Sequence, residues 1–137
     1  MSKNAIYLMF NGNCEDAINY YAQHLGGTIT QLQRYGDTPQ PSSESYKDKI
    51  MHGIMDLQGL TVMFSDSMEQ RNVTMGDNFS IALDFKSDGE LNRAFDAMST
   101  GGQVTMAVQE TFWNAVFGMC TDKFGVNWMF NYDKPQS

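Results

Sequence analysis

The hydrophobic residues of this 137-residue chain fall into short runs with two kinds of spacing. Residues 6–10 are apolar throughout and precede Asn11-Gly12-Asn13, a pattern typical of a buried strand followed by a turn. Apolar residues then recur at helical spacing over residues 14–25, and we expect Asn13 to cap that helix at its N-terminus. Gly26-Gly27 ends the periodicity, so the pattern predicts one amphipathic helix lying on a sheet.

Three further strands are predicted in the first half of the chain. Residues 28–33 alternate polar and apolar side chains, and residues 50–57 and 60–65 form two more apolar runs joined by a tight turn at Gln58-Gly59. Residues 35–48 carry proline and serine without periodicity. This segment is predicted to be a mobile loop.

The second half of the chain repeats this order. Residues 81–85 match residues 6–10 at three of five positions. Ser87 and Glu90 have the spacing of a helix capping box. A second apolar stripe at helical spacing follows, formed by Leu91, Ala94, Phe95 and Met98. The duplication predicts an α+β fold of two βαβββ modules, at about residues 5–66 and 78–132, within a single domain spanning residues 1–137.

Charge and composition exclude several classes of partner. The formal net charge of −7 disfavours binding to nucleic acid and to anionic membrane surfaces. No apolar run approaches the roughly 20 residues of a membrane span, and none has the length of a signal-peptide core, so we expect a cytoplasmic protein. The two cysteines, Cys14 and Cys120, form neither a disulfide framework nor a zinc motif, and we expect both to pack as small hydrophobic residues.

Several motifs resemble one known family. They are FNGNCEDAI at residues 10–18, Met51-His52, Ser65-Asp66, Thr111-Phe112-Trp113 and Thr121-Asp122-x-Phe124-Gly125. Together they resemble the PhnB-like branch of the vicinal oxygen chelate superfamily, which includes glyoxalases, bleomycin-resistance proteins and ring-cleaving dioxygenases. Members of this branch are often labelled as demethylubiquinone-methyltransferase-like, although the sequence carries no methyl-donor motif. The resemblance implies curved mixed sheets around a cup-shaped cavity, helices on the outside, a homodimer and a small-molecule ligand.

The resemblance also implies where metal ligands would lie. Metal-dependent members of the superfamily take His, Gln or Glu from the first, fourth, fifth and eighth strands. The matching positions here are Ala5 or Ile6, Met63, Ser80 and Met129. None of these is a strong ligand for zinc, iron or manganese. We therefore predict that the protein uses neither a metal nor another cofactor.

Three of these positions, Met63, Ser80 and Met129, are also predicted ligand-binding residues, together with Trp113 and Asp84. Trp113 stands before a strand at the rim and is expected to anchor a flat ligand, with residues 35–48 as a lid. Asp84 has the strand parity of Ser80 and is expected to face the cup, where either Arg or Lys neutralises it or a cationic ligand meets it. Trp128 and Phe117 belong either to the pocket or to the core.

Two other reactive side chains, His52 and Cys14, each have two interpretations. His52, on the third strand, is either a structural residue or a general base. Cys14 lies in the first helical turn, where the helix dipole favours the thiolate and the neighbouring Glu15 and Asp16 oppose it. The sequence shows no Ser/His/Asp set, and no glycine-rich phosphate loop follows a strand.

Three functions fit these observations. The first is a metal-free, small-molecule-binding protein of the PhnB-like branch. The second is sequestration of cationic drugs, as in bleomycin-resistance proteins. The third is a metal-dependent enzyme of the glyoxalase or dioxygenase type whose ligands lie elsewhere, or one that uses His52 or Asp84 as a base. The identity of the ligand and the presence of catalysis are left open.

Overall fold

The computed structural model describes residues 4–39 and 43–136. The chain divides into two compact units, Met1–Thr74 and Met75–Ser137, and each contains a four-stranded sheet and a 12-residue helix. In both units the order along the chain is strand, helix and three strands, as the internal repeat predicts. No helix within the described residues has the length and apolar content needed to span a membrane.

The first unit closes its sheet with a parallel pair of strands. Its elements are β1 (Ile6–Phe10), α1 (Cys14–Leu25), β2 (Thr28–Arg34), β3 (Ile50–Leu57) and β4 (Leu60–Asp66). The strand order is β1-β4-β3-β2, with β1 parallel to β4 and the other pairs antiparallel. A short 3₁₀ helix, Tyr35–Asp37, follows β2.

The second unit has the same topology. Its elements are β5 (Ile81–Asp84), α2 (Asp88–Ser99), β6 (Gln103–Glu110), β7 (Ala115–Thr121) and β8 (Asn127–Asp133). The strand order is β5-β8-β7-β6, again with one parallel pair, β5 and β8. The predicted α+β class and the two βαβββ modules are therefore confirmed.

Glycine marks the sheet face under each helix. A side-chain carbon added at Gly53 of β3 would lie 3.1 Å from Cδ1 of Ile18 on α1, and one added at Gly118 of β7 would lie 3.0 Å from Cε1 of Phe95 on α2. Both helices therefore pack closely against their sheets at a position where a larger residue would separate them. Side chains alternate along a strand, so the residues next to these glycines point away from the helix.

We call the sheet face away from the helix the distal face. In the first unit it carries Tyr7, Met9, His52, Ile54, Met63 and Ser65. In the second unit it carries Ala82, Asp84, Phe117, Met119, Met129 and Asn131.

Helix α1 begins in a way that the sequence did not predict. Asn13 occupies the expected cap position, but its side chain makes no capping hydrogen bond. Instead, the buried carboxylate of Asp66 accepts from the backbone N–H groups of Gly12 at 2.8 Å and Cys14 at 3.0 Å through Oδ1, and from Ile50 at 2.9 Å through Oδ2. A distant carboxylate thus replaces the local cap because it satisfies several orphan donors at once.

The N-terminus of α2 and the C-terminus of α1 agree with the sequence pattern. Ser87 caps α2 by accepting a hydrogen bond from the backbone N–H of Glu90 at 3.1 Å. Gly26 follows α1 with φ +72, a left-handed conformation that glycine adopts without strain.

The segment predicted as a mobile loop is tied down at both ends, whereas its middle, residues 40–42, lies outside the described residues. Backbone N–H groups of Tyr35 and Gly36 donate to the carbonyls of Lys49 and Lys47 at 3.0 and 2.8 Å. The hydroxyl of Tyr35 donates to the carbonyl of Asp66 at 2.8 Å, and that of Tyr46 donates to the carbonyl of Ser67. These bonds hold residues 35–39 and 43–48 against the end of β4 and do not favour a lid that swings as one body.

Candidate functional site

A row of three methionines crosses the distal face of the second sheet. Met106 of β6 pairs with Met119 of β7, which pairs with Met129 of β8, and Ala82 of β5 completes the row. Met106 is exposed, and Met119 and Met129 are half-buried. Methionine side chains are flexible and polarizable, so this row forms an adaptable apolar strip.

A second, more polar row runs beside the methionines. Phe117 pairs with Asn131, and Asn131 pairs with Asp84. The Asn131 amide donates to Oδ1 of Asp84 at 2.9 Å and to Oδ1 of Asp133 at 3.1 Å. Both carboxylates are exposed, and neither forms an ion pair with a described Lys or Arg. The neutralising cation considered for Asp84 is therefore replaced by a neutral amide.

Trp113 stands at the edge of these rows. It lies in the turn between β6 and β7, as predicted, and about half of its surface is exposed. Its ring meets the ring of Phe117 edge to face at 6.1 Å, and that of Phe112 at 5.0 Å. Asn114 completes the turn with φ +65, a conformation that asparagine tolerates better than most residues. This turn holds Trp113 against Phe117 while one side of the indole stays open.

Ser80 lies at the opposite end of β5 from Asp84. It is half-buried and precedes the strand with the parity of Ala82. The chain before it is fixed by Asn127, whose amide donates to the carbonyls of Gly76 at 2.8 Å and Phe79 at 3.1 Å. The second unit therefore brings Met129 and Asp84 to neighbouring rows of one face, with Trp113 at its edge and Ser80 at its far end.

Met63 belongs to the first unit and is almost completely covered. It lies on the distal face between Tyr7 of β1 and Ile54 of β3, with only 3% of its surface exposed. A ligand reaches its sulfur only when the groups that cover it move. Its role in binding remains a prediction.

The register of β1 decides between the two first-strand positions considered above. Ile6 pairs with Val62 and shares the helix-facing parity of Leu8, so the assignment of a cup position to Ile6 is wrong. Ala5 has the parity of Tyr7, which pairs with Met63, and it corresponds in the repeat to Ser80.

The residues at the superfamily's ligand positions do not fit a catalytic metal. Ala5 offers no donor, Ser80 offers a neutral hydroxyl, and Met63 and Met129 offer thioethers, which suit soft ions such as Cu(I). Within residues 4–39 and 43–136, no three His, Cys, Asp or Glu side chains gather in a way that could hold an ion. No chemical step is therefore derived through a metal.

Trp128 is a core residue. It is fully buried, and its indole N–H donates to Oδ2 of Asp122 at 2.8 Å. Asp122 also accepts through Oδ1 from the backbone N–H groups of Phe124 at 2.8 Å and Val126 at 3.0 Å, which fixes the turn before β8. Of the alternatives for Trp128, the core one is confirmed.

Neither cysteine is suited to nucleophilic chemistry. Burial, followed by the charges of Asp66 and Glu15, raises the pKa of Cys14 far above the ordinary thiol range. Burial and the charge of Asp122 raise the pKa of Cys120 to about 12. Both side chains are therefore neutral near pH 7, as expected of small hydrophobic residues.

Sequence reasoning missed one contact on the first sheet. The hydroxyl of Tyr7 lies 3.2 Å from Nδ1 of His52. The sequence identified His52, but its partner depends on the strand order, which places β4 between the two residues. The match between residues 6–10 and 81–85 is the signal that reveals the parity of Tyr7.

Comparison with known proteins agrees with the fold of this chain. A family model described as 3-demethylubiquinone-9 3-methyltransferase matches residues 2–130. Protein YjdN of Escherichia coli (strain K12) is 38% identical over 140 residues, covering 95% of each chain. The crystal structure of protein PA1353 from Pseudomonas aeruginosa is 41% identical, with a TM-score of 0.88 over 98% of this chain and 100% of that one. A PhnB protein from Bacillus cereus is 26% identical, with a TM-score of 0.82 over 96% of this chain and 99% of that one.

Proposed function

Because the chain belongs to the PhnB-like family described as 3-demethylubiquinone-9 3-methyltransferase, within the vicinal oxygen chelate superfamily, we propose that it binds a small organic molecule without a metal. The observation that carries the proposal is the half-exposed Trp113, whose ring is braced by Phe117 beside the methionine row. Methyl transfer is not part of the proposal, because the sequence carries no methyl-donor motif.

The chemistry of this face favours flat or apolar ligands. The indole of Trp113 offers a rigid aromatic surface, and Met119 and Met129 offer side chains that adapt to the shape of a ligand. Thioethers and alkyl groups carry no charge that offsets a developing anion, so binding here depends on buried area and stacking. Ser80 contributes a hydroxyl at the far end of the face.

A cationic ligand is the second candidate, supported by one specific observation. Asp84 and Asp133 share the single amide of Asn131, so their negative charge is only partly compensated, and the pair lies next to Phe117. An aromatic ring beside two carboxylates is a favourable environment for an organic cation. This supports the alternative of sequestering cationic drugs.

A homodimer and a cytoplasmic location are part of the same proposal. Strand β6 forms an edge of the second sheet, and it exposes Val104 and Met106 together with its backbone groups. Exposed apolar edge strands are stabilised when another chain covers them. We propose that a second copy of this chain does so.

The binding proposal is tested with a panel of neutral aromatic and cationic aromatic compounds. Ligands found by tryptophan fluorescence are measured again by calorimetry, because Trp113→Ala removes the reporter. We expect Trp113→Ala to weaken binding by about 1 to 3 kcal/mol, the usual loss for an aromatic anchor. We expect Asp84→Asn to weaken the binding of cationic ligands and to leave the binding of neutral ligands unchanged.

Phe79→Ala is the matched control. Phe79 is an aromatic residue of the same unit and is about as exposed as Trp113. Its strand parity is opposite to that of Ser80 and Ala82, so it does not lie on the distal face. A ligand that binds Trp113→Ala as tightly as the unmodified protein contradicts the assignment of this face.

A further inference from the structure

Tyr7 and His52 form a bridge across the middle of the first sheet. Strand β4 lies between β1 and β3, and the two side chains come from these flanking strands. The Tyr7 hydroxyl and His52 Nδ1 are 3.2 Å apart, and the ring centroids are 5.9 Å apart. Adjacent strands are about 4.8 Å apart, so the two side chains span two strand spacings to meet.

The bridge separates two covered side chains from an accessible surface. Beneath it on β4, Met63 and Ser65 are only 3% and 4% exposed, whereas 44% of Tyr7 is exposed. Here an accessible tyrosine presents its hydroxyl on the distal face.

Tyr7 differs from Tyr35 and Tyr46, whose hydroxyls lie near the end of β4. Tyr35 and Tyr46 donate their hydroxyl protons to the backbone carbonyls of Asp66 and Ser67, which only accept. His52 Nδ1 either accepts or donates, depending on the imidazole tautomer. The bond between Tyr7 and His52 therefore has two forms, whereas the other two have one.

These two forms present different groups to a ligand. When the Tyr7 hydroxyl donates to Nδ1, the phenol oxygen keeps a lone pair that accepts a hydrogen bond from a ligand. When Nδ1–H donates to the phenol oxygen, the Tyr7 hydroxyl proton is free to donate to a ligand. A ligand hydroxyl both donates and accepts, so it is satisfied in either form.

We propose that Tyr7 and His52 form a recognition site for the hydroxyl group of a neutral, otherwise apolar ligand, such as a phenol. The inference rests on the proposed function only in that the protein binds a small organic molecule. The net charge of −7 disfavours an anion at this site. Within the described residues, neither Tyr7 nor His52 forms an ion pair that would supply a counter-charge.

The test compares phenol with toluene, two probes of nearly the same shape that differ in the hydroxyl. Their dissociation constants are measured by NMR titration, following the ring signals of Tyr7 and His52. We expect these signals to shift with phenol and the site to prefer phenol over toluene by about 3- to 10-fold, the usual effect of one neutral hydrogen bond. Tyr7→Phe keeps the ring over Met63 and abolishes the preference, and His52→Leu reduces it.

Tyr20→Phe is the matched control. Tyr20 lies on α1 with its ring 4.3 Å from that of His24, so it belongs to a second Tyr–His contact that is not on the distal face. We expect this variant to keep the phenol preference. Equal affinities for phenol and toluene, a preference that survives in Tyr7→Phe, or no shift at Tyr7 and His52 at saturating phenol each overturns the inference. The proposed function fails separately, when no compound of the panel depends on Trp113.

Discussion

The carboxylate of Asp66 caps helix α1, because its Oδ1 accepts a hydrogen bond from the backbone N–H of Cys14 at 3.0 Å across 52 residues of sequence. The same side chain accepts from Gly12 and Ile50, so it joins the end of β4 to the start of α1 and the start of β3. One buried carboxylate therefore organises three segments of the first unit.

We expect Asp66→Ala to destabilise the protein by at least about 3 kcal/mol, because it leaves three backbone N–H groups without their acceptor. Asp66→Asn retains one acceptor oxygen and is expected to lose less. The measurement is urea unfolding followed by circular dichroism. Asp16→Ala, an exposed residue in the first turn of α1, is the control, with an expected loss of at most about 1 kcal/mol. Equal losses for Asp66→Ala and Asp16→Ala contradict the capping role.

The ion pair between Glu15 and Arg34 predicts a pH-dependent contribution to stability. Arg34 donates to both carboxylate oxygens of Glu15, at 2.9 and 2.6 Å, and this hydrogen bonding is the main reason that the pKa of Glu15 is lowered. A lowered carboxyl pKa stabilises the fold above the ordinary glutamate pKa of about 4.3 and loses that effect as the pH falls. Because the pair is partly exposed, the effect is at most about 1 kcal/mol.

A double-mutant cycle measures this contribution. Glu15→Gln is expected to lower the unfolding free energy at pH 7 and to have little effect at pH 3. In an Arg34→Gln background the same change costs less at pH 7. An equal cost in both backgrounds, or at both pH values, contradicts the pairing.

Most of the fold follows from local sequence patterns. Strand β3 and helix α1 match their predicted ranges, and the four apolar residues of the α2 stripe are all buried. These elements are predictable because periodicity and glycine stops are properties of neighbouring residues.

The cap of α1 was not predictable in this way. Asn13 has the right residue type in the right place, but Asp66 provides the cap, because its carboxylate at the end of β4 satisfies three donors from two other segments, the start of α1 and the start of β3. Such competition depends on tertiary contacts, which a local pattern does not contain.

The candidate site was predictable in part for a similar reason. The rim position of Trp113 and the strand parity of Met129 and Asp84 follow from turn signals and alternation. Two other features depend on which strands are neighbours. Asp84 and Asp133 share the amide of Asn131, and Met63 lies below Tyr7 and His52.

Both cysteines are expected to resist thiol reagents in the folded protein. Burial raises the pKa of each thiol, so little thiolate is present near neutral pH and reagent access is blocked. Labelling with a chromogenic disulfide reagent at pH 8 is predicted to be slow in buffer and to reach two thiols per chain in denaturant. Rapid labelling of either cysteine in the native protein contradicts this account.

The proposed homodimer predicts a sedimentation mass twice that of the chain at micromolar concentration. The expectation comes from the family and from the exposed edge strand β6. Analytical ultracentrifugation over a dilution series gives the mass and the dissociation constant. A monomer throughout the micromolar range contradicts the proposal.

The most direct test of ligand binding on the distal face is a methyl NMR titration with ¹³C-labelled methionines. The chain has 11 methionines, and they report on both the proposed surface and the core. Met119 and Met129 lie on the distal face of the second sheet, whereas Met55 and Met98 are completely buried. With a ligand from the binding panel, we predict saturable shifts of the Met119 and Met129 methyl signals and unchanged Met55 and Met98 signals. If the ligand binds and the Met119 and Met129 methyl signals do not shift, the central claim is contradicted.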